Sequence, residues 1–409
     1  MKLKQKFPID WLIVLPVMLL LTFGLFAIYS ATVNNPAALG NFNRQVIWMG
    51  VAVLISGSFY FINLKTFQIL SFVLYGISIL LLIAVLIFGT EVAGNKSWLQ
   101  IGSVGLQPSE FTKFTTVLMF ASYLSTQKSD KSGLIQVVIG MTIILIPVAL
   151  ILAQPDTGTC LVFIGMSLPI LFWIGLDDAL TFMIISPVIA AGLAFFNFYL
   201  FLGYVVICIA FIFYLKMKPG FAMLTALFTI SAGFLTVFFV ENILLPHQRK
   251  RLEILLDPLI DPKGAGYNII QSEIAIGSGG FLGKGFLAGT QTQLGFLPKQ
   301  WTDFIFCVVS EEYGFLGSSI LLLCFLILLW RLLVISTKMK SRFASIFTIG
   351  VFMVIAIHVF INLAMTMGLL PIIGIPLPFV SYGGSSMITF MAMIGTVMSI
   401  YAHQTSEEY

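Results

Sequence analysis

The stretch WLIVLPVMLLLTFGLFAIYS, residues 11–30, has no Asp, Glu, Lys or Arg. A run of about 18 apolar residues is enough to cross a bilayer as a helix, and comparable runs recur along the chain. Lipid offers no water to backbone amides and carbonyls, so only helices or a closed barrel can span it. The runs are continuous and do not alternate, which excludes a barrel. The fold class is therefore all-α, a polytopic integral membrane protein. Spans are expected near 10–30, 45–62, 68–88, 110–126, 134–153, 159–175, 180–197, 199–215, 221–242, 303–333, 344–368 and 380–402, about twelve in all.

Composition agrees with this. Of 409 residues, 59% are hydrophobic and 9% charged, against roughly 25% charged in an ordinary soluble chain. A net charge of +4 is small and scattered, which argues against nucleic acid as a partner. Cys160, Cys208, Cys307 and Cys324 sit in apolar runs without the paired spacing of a zinc or redox motif. They read as buried small hydrophobes. His247, His358 and His403 are too dispersed for a metal cluster, and no metal ligand is assigned.

Orientation follows from the basic residues. Lys2, Lys4, Lys6, Lys65, Lys128, Lys131, Lys216, Lys218, Arg331, Lys338, Lys340 and Arg342 fall on one side of the expected spans. The short loops of the other side hold only Arg44 and Lys96. The positive-inside rule then puts both termini in the cytoplasm and the long loop 241–302 outside. The first apolar run lacks a small-residue cleavage site and is expected to remain as a span. No repeat or linker divides the chain, so residues 1–409 are read as one membrane domain.

The long loop interrupts an otherwise lipid-soluble chain. It carries Arg249, Lys250, Arg251 and the segment Asp257-Pro-Leu-Ile-Asp261-Pro-Lys-Gly-Ala-Gly-Tyr267. Each Asp precedes a proline and is biased to extended or turn conformation. From Tyr267 to Ile276, a short helix lying at the interface is expected. Spacing alone leaves two readings for the Asp residues: caps of turns, or acids that reach a lipid headgroup. The run Gly277-Ser-Gly-Gly-Phe-Leu-Gly-Lys284-Gly fails the phosphate-loop pattern. It reads as a glycine-rich turn with N–H groups available to a phosphate.

Glu110 and Lys113 stand three apart at the start of the fourth span, on one helical face where they can pair. Ionisable residues at membrane depth are functional candidates by default, with a structural ion pair as the alternative. Asp156 is placed to cap the sixth span. Asp303, Glu311 and Glu312 are read on one helix, Asp303 near its outer boundary, where they line a polar cavity or hold helices together; the structural role is favoured for Glu311 and Glu312. Ser381 and Ser385, in Pro378-Phe-Val-Ser-Tyr-Gly-Gly-Ser-Ser386, suit either a groove for a polar headgroup or close helix packing.

Taken together, these motifs resemble the SEDS family (shape, elongation, division and sporulation), and its elongation branch more than its division branch. The resemblance rests on Trp98-Leu-Gln-Ile-Gly102, Gln107-Pro-Ser-Glu-Phe-Thr-Lys113, Gln154-Pro-Asp-Thr-Gly158, Asp257 to Tyr267, Gln271-Ser272, Leu297-Pro298, Thr302-Asp-Phe-Ile-Phe306, Glu311-Glu312 and Pro378 to Ser386. The chain departs from the family in three places. The apolar pair at 180–215 looks like a hairpin added to a ten-span core. Trp301 stands where relatives often have His. Lys96 and Ser97 replace an Arg-bearing segment, and Lys offers a point charge where Arg offers a fork.

The resemblance implies a peptidoglycan glycosyltransferase that polymerises lipid II, an undecaprenyl-pyrophosphate disaccharide pentapeptide, at the outer face of the bacterial plasma membrane. It implies Asp261 as the general base. Lys113, Lys96 and Arg44 are candidates for the leaving pyrophosphate, and Glu110, Asp156, Gln271, Ser272, Ser381 and Ser385 are further substrate-binding candidates. It implies a class B penicillin-binding protein transpeptidase and the elongation machinery as partners. No prosthetic group is expected, with room for a divalent cation, Mg or Mn. The alternatives are a lipid II flippase and a noncatalytic scaffold of wall synthesis.

Overall fold

The computed structural model describes residues 8–92, 95–102, 104–126, 134–173, 178–242, 254, 258–261 and 266–407. Asp257, Lys263 and the basic run 249–251 lie outside the described residues. Every expected span is a helix: α1 (Trp11–Val33), α2 (Asn41–Tyr60), α3 (Leu64–Phe88), α4 (Pro108–Ser125), α5 (Leu134–Leu152), α6 (Thr157–Trp173), α7 (Asp178–Phe196), α8 (Phe198–Tyr214) and α9 (Pro219–Asn242). The loop contributes α10 (Tyr267–Ser278), at the position expected of an interfacial helix, and a single turn, α11 (Thr290–Gln293). Three long helices close the chain: α12 (Ile305–Lys338), α13 (Arg342–Thr366) and α14 (Gly384–Glu407).

Among the described residues, seven of these helices are long and apolar enough to cross a membrane by length and composition. Two others fall short for visible reasons. Asn41, Asn43, Arg44 and Gln45 open α2, and Glu110 and Lys113 open α4. At the other end of the bundle, Asp10 caps α1 by accepting from Leu12 N at 3.0 Å. Its second oxygen takes Arg331 of α12 through Nε at 2.7 Å and Nη2 at 2.6 Å. One carboxylate thus fixes both the start of α1 and its register on α12.

The core lies where α1 meets α12, α2 meets α14, and α4 meets α3 and α13. Small residues permit the tightest crossings, as expected of helices that lack a hydrophobic driving force in lipid. A Cβ on Gly395 would stand 2.4 Å from the Ser56 carbonyl oxygen, so α14 lies directly on the α2 backbone. Helices α7, α8 and α9 pack mainly on one another, around Ala190, Ala194 and Phe201. The apolar pair 180–215 is therefore two helices, α7 and α8, closed by α9.

One feature departs from an all-helical reading. Between α3 and α4 runs an antiparallel meander, β1 (Thr90–Val92), β2 (Asn95–Ile101) and β3 (Val104–Leu106), in the order β1-β2-β3. Leu99 pairs with Leu106, and Ile101 with Val104. β1 and β3, three residues each, are too short to show periodicity in sequence.

The glycine turn also differs from expectation. Helix α12 is broken at Gly314 (φ 64°, ψ −159°), and the glycine turn fills the break. Lys284 N and Gly285 N donate to the Glu311 and Glu312 carbonyls, each at 3.0 Å. Phe315 N and Leu316 N donate to Gly280 O and Phe281 O at 2.9 and 3.1 Å. Four crossing bonds thus replace those the break removes, as buried backbone requires. The amides of Lys284 and Gly285 are consumed here and are not available to a phosphate.

Candidate active site

A cavity of about 690 Å³ opens at the end of the bundle where α1, α3, α5 and α13 finish and α2, α4, α6, α12 and α14 begin. Its walls come from five separated parts of the sequence. The start of α2 gives Arg44 and Trp48, and the meander gives Ser97 and Trp98. The starts of α4 and α6 give Gln107, Glu110 and Asp156. The segment before α12 gives Lys299, Trp301 and Asp303, and the start of α14 gives Tyr382 and Ser385. The N-termini of α2, α4, α6 and α14 border the space, and their partial positive charges add to Arg44 and Lys299 beside the carboxyls of Glu110, Asp156 and Asp303.

The segment 301–303 is clamped. Tyr382 N donates to Trp301 O at 2.9 Å, Ser381 Oγ to Thr302 O at 2.7 Å and Asn362 Nδ2 to Asp303 O at 2.9 Å. Gln300 is buried, and its amide nitrogen donates to Ala31 O at 2.9 Å and Thr292 O at 3.0 Å. Lys299 itself takes a left-handed backbone (φ 51°), a conformation sparsely used by residues with a Cβ. The rim is therefore held by its neighbours. Asp303 stands two residues ahead of α12; burial pushes its carboxyl above the usual range, while Lys299 and a Thr302 hydrogen bond draw it back.

The expected site residues divide into two groups. Arg44, Glu110, Asp156 and Ser385 line the cavity. Asp156 is largely occupied as a cap: it accepts from Thr159 N at 3.1 Å, Thr159 Oγ at 2.8 Å and Gln107 Nε2 at 3.2 Å. Ser385 Oγ accepts from Gln107 N at 3.2 Å, joining α14 to α4.

The second group lies elsewhere. Lys113 is buried and donates to Glu110 at 2.8 Å, so the pair forms as the spacing predicts but offers no ammonium to a ligand. Lys96 caps α3 instead, donating to Leu86 O at 3.0 Å and Ile87 O at 3.3 Å. Ser272 is buried and donates to Ile269 O within its own helix, and Gln271 is half-buried beside it on α10. Ser381 belongs to the clamp. Asp261 ends a short turn after Pro258–Ile260, half-buried, with its backbone oxygen accepting from Gly266 N at 3.1 Å. It is not among the residues that line the cavity.

Lys299, Trp48 and Tyr382 were not singled out by sequence reasoning. No local pattern marks them, because five distant segments must meet before they share a wall. Glu311 is the buried strut expected of it. Its carboxylate accepts from Lys284 Nζ (2.8 Å), Gln291 N (2.9 Å), Thr292 N (3.0 Å) and Thr292 Oγ (2.8 Å), tying α11 and the glycine turn to α12. Cys160, Cys208, Cys307 and Cys324 are all buried free thiols.

Among the described residues there is no group of three or more His, Cys, Asp or Glu side chains able to hold an ion.

Comparison with known proteins agrees with the arrangement from end to end. Peptidoglycan glycosyltransferase MrdB of Escherichia coli (strain K12) is 36% identical over 392 residues, covering 95% of this chain and 94% of its own. Peptidoglycan glycosyltransferase RodA of Treponema pallidum is 34% identical over 442 residues, covering 99% and 100%. Among solved structures, a chain of a peptidoglycan synthase complex superposes with a TM-score of 0.73 at 26% identity, over 98% of this chain and 99% of that one. Thermus thermophilus RodA shares the fold with a TM-score of 0.63 at 23% identity, over 96% of each chain. Residues 10–204 and 200–406 match the cell cycle protein family of FtsW, RodA and SpoVE. Both the family match and these identities run the length of the chain, and the chain belongs to the FtsW, RodA and SpoVE family.

Proposed function

We propose that this protein is an inverting peptidoglycan glycosyltransferase that polymerises lipid II at the outer face of the plasma membrane, with both termini in the cytoplasm. The observation that carries this reading is the cavity at one end of a membrane bundle, lined by Arg44 and Lys299 and the starts of four helices together with Asp303 and Glu110. A lipid-linked sugar pyrophosphate needs cations and fixed dipoles for the charge that develops on the leaving group. The acceptor hydroxyl needs a carboxylate to take its proton as it attacks the anomeric carbon. One direct displacement turns an α-linked donor into a β-linked product, with no covalent intermediate.

Asp261 is proposed as the general base, from its match to the family's Asp-Pro segment. Asp303 is the second reading, favoured by its place in the cavity wall. The partner is proposed to be a class B penicillin-binding protein transpeptidase, consistent with the synthase complex that contains the similar chain.

The test is polymerisation of labelled lipid II by purified protein in detergent, with and without that partner. Detergent has no second compartment, so a flippase gives no product there. Asp261→Asn is expected to abolish glycan formation while Asp303→Asn retains part of it. The opposite pattern moves the base to Asp303, and no product from any form rejects the enzymatic reading.

A further inference from the structure

Beneath the cavity runs a chain of four polar groups, two of which also line it. His358 of α13 is fully buried, with Nδ1 3.2 Å from Pro376 O and Nε2 2.9 Å from Lys113 Nζ. An ammonium can only donate, so Nε2 must accept. The ring hydrogen therefore sits on Nδ1 and is donated to Pro376 O. Lys113 Nζ next donates to Glu110 Oε1 at 2.8 Å and stands 5.7 Å from the centre of the Phe390 ring. Pro376 and Glu110 are both cavity-lining residues, drawn from remote parts of the sequence. Glu110 Oε2 is buried and has no hydrogen-bond partner among the described residues.

An unmatched carboxylate oxygen in a buried ion pair is costly. It persists here in a residue that lines the cavity, 4% exposed, whose other oxygen is fixed. The neutral imidazole takes one ammonium hydrogen of Lys113 and Glu110 Oε1 takes another, so the ammonium is held between the two. A side chain at 358 without an acceptor would leave an ammonium hydrogen unsatisfied, and Glu110 Oε2 is the nearest unmatched acceptor of the pair.

We propose that His358 is a positioning residue for the transfer site: through Lys113 it fixes Glu110 so that the second carboxylate oxygen accepts a hydroxyl or amide hydrogen from the sugar–peptide part of the lipid-linked substrate. This rests on the glycosyltransferase reading. It assigns Glu110 to the substrate, Lys113 to the interior, and the choice between them to a histidine from another helix.

The experiment measures lipid II polymerisation by the full-length chain and three variants. His358→Gln keeps an acceptor for Lys113 and a donor for Pro376 O. His358→Leu keeps bulk and removes both. His358→Glu, nearly isosteric with Gln, adds a carboxylate that competes for Lys113. Misplacement of one group by about an ångström costs of order a hundredfold. His358→Leu and His358→Glu are therefore expected to lose about that much in kcat, with KM within about threefold of the parent. His358→Gln is expected to stay within about threefold in both constants. A purely structural role would lower the yield of folded protein and leave the constants of the folded fraction unchanged.

Parental kcat and KM in folded His358→Leu would overturn the inference. If that variant does not fold, equal activity of the Gln and Glu variants overturns it instead. An inactive parent rejects the glycosyltransferase reading itself, and this inference with it.

Discussion

Replacing Gly283 by Ala should unlatch the glycine turn from the broken helix. Gly283 has φ 82°, and a Cβ there would lie 2.1 Å from Glu312 O and 2.6 Å from Tyr313 N. The left-handed backbone costs a residue with a Cβ about 1–2 kcal/mol. The overlap is with backbone, which cannot swing aside, so the two segments must separate. Separation breaks the bonds from Lys284 N to Glu311 O and Gly285 N to Glu312 O, at about 1 kcal/mol each. The sum is about 3–4 kcal/mol, a large fraction of the roughly 5–15 kcal/mol that holds an ordinary domain together.

Two neighbours separate the terms. Gly280 has φ 57° with open space around its missing Cβ, so Gly280→Ala should cost only the conformational part, about 1–2 kcal/mol. Gly277 lies in α10 with nothing near and an ordinary φ, so Gly277→Ala should be neutral or stabilise by about 0.5–1 kcal/mol. The assay is reversible unfolding in mixed micelles, followed by tryptophan fluorescence. A Gly283→Ala protein no less stable than Gly280→Ala would refute the backbone-contact argument.

Further outcomes follow from the same structure. Glu311→Gln should destabilise by about 3 kcal/mol, because it leaves Lys284 without its charge partner and sets an amide N–H against backbone donors; the same unfolding assay reads this. Arg44→Ala and Lys299→Ala should each raise KM for lipid II about tenfold, if each contributes one charge-assisted phosphate bond. Their effects should shrink as salt is added, since both residues are exposed. Asp303 gives a pH signature. Its carboxyl is raised above 3.8 in the fold, so native protein keeps a proton that the unfolded chain has released. That contribution to stability is complete below the unfolded value and is lost as pH rises through the native one. Asp303→Asn should therefore flatten the loss of stability with rising pH, measured by unfolding at a series of pH values.

The spans were legible because lipid imposes one rule on every segment, and long runs without charge obey it visibly. The Glu110–Lys113 pair and the Asp156 cap were legible too, since both depend on spacing within a single helix turn. Lys299, Tyr382 and His358 were not, because each acquires meaning only when remote segments meet. The glycine turn misled for a related reason. Its composition suits a phosphate cradle, but two of its amides are taken by the carbonyls of α12, which lie about thirty residues further on. Lys96 and Lys113 have the right charge for a pyrophosphate, yet a helix end and a buried carboxylate claim them first.

The clamp on 301–303 leaves Asp303 without a hinge of its own. Its three successive carbonyls are each gripped by a different group, from Tyr382, Ser381 and Asn362. Any widening or narrowing of the entrance must carry that strip, the end of α13 and the start of α14 along together. The acid's position is thus set jointly by two helices that are remote from it in sequence.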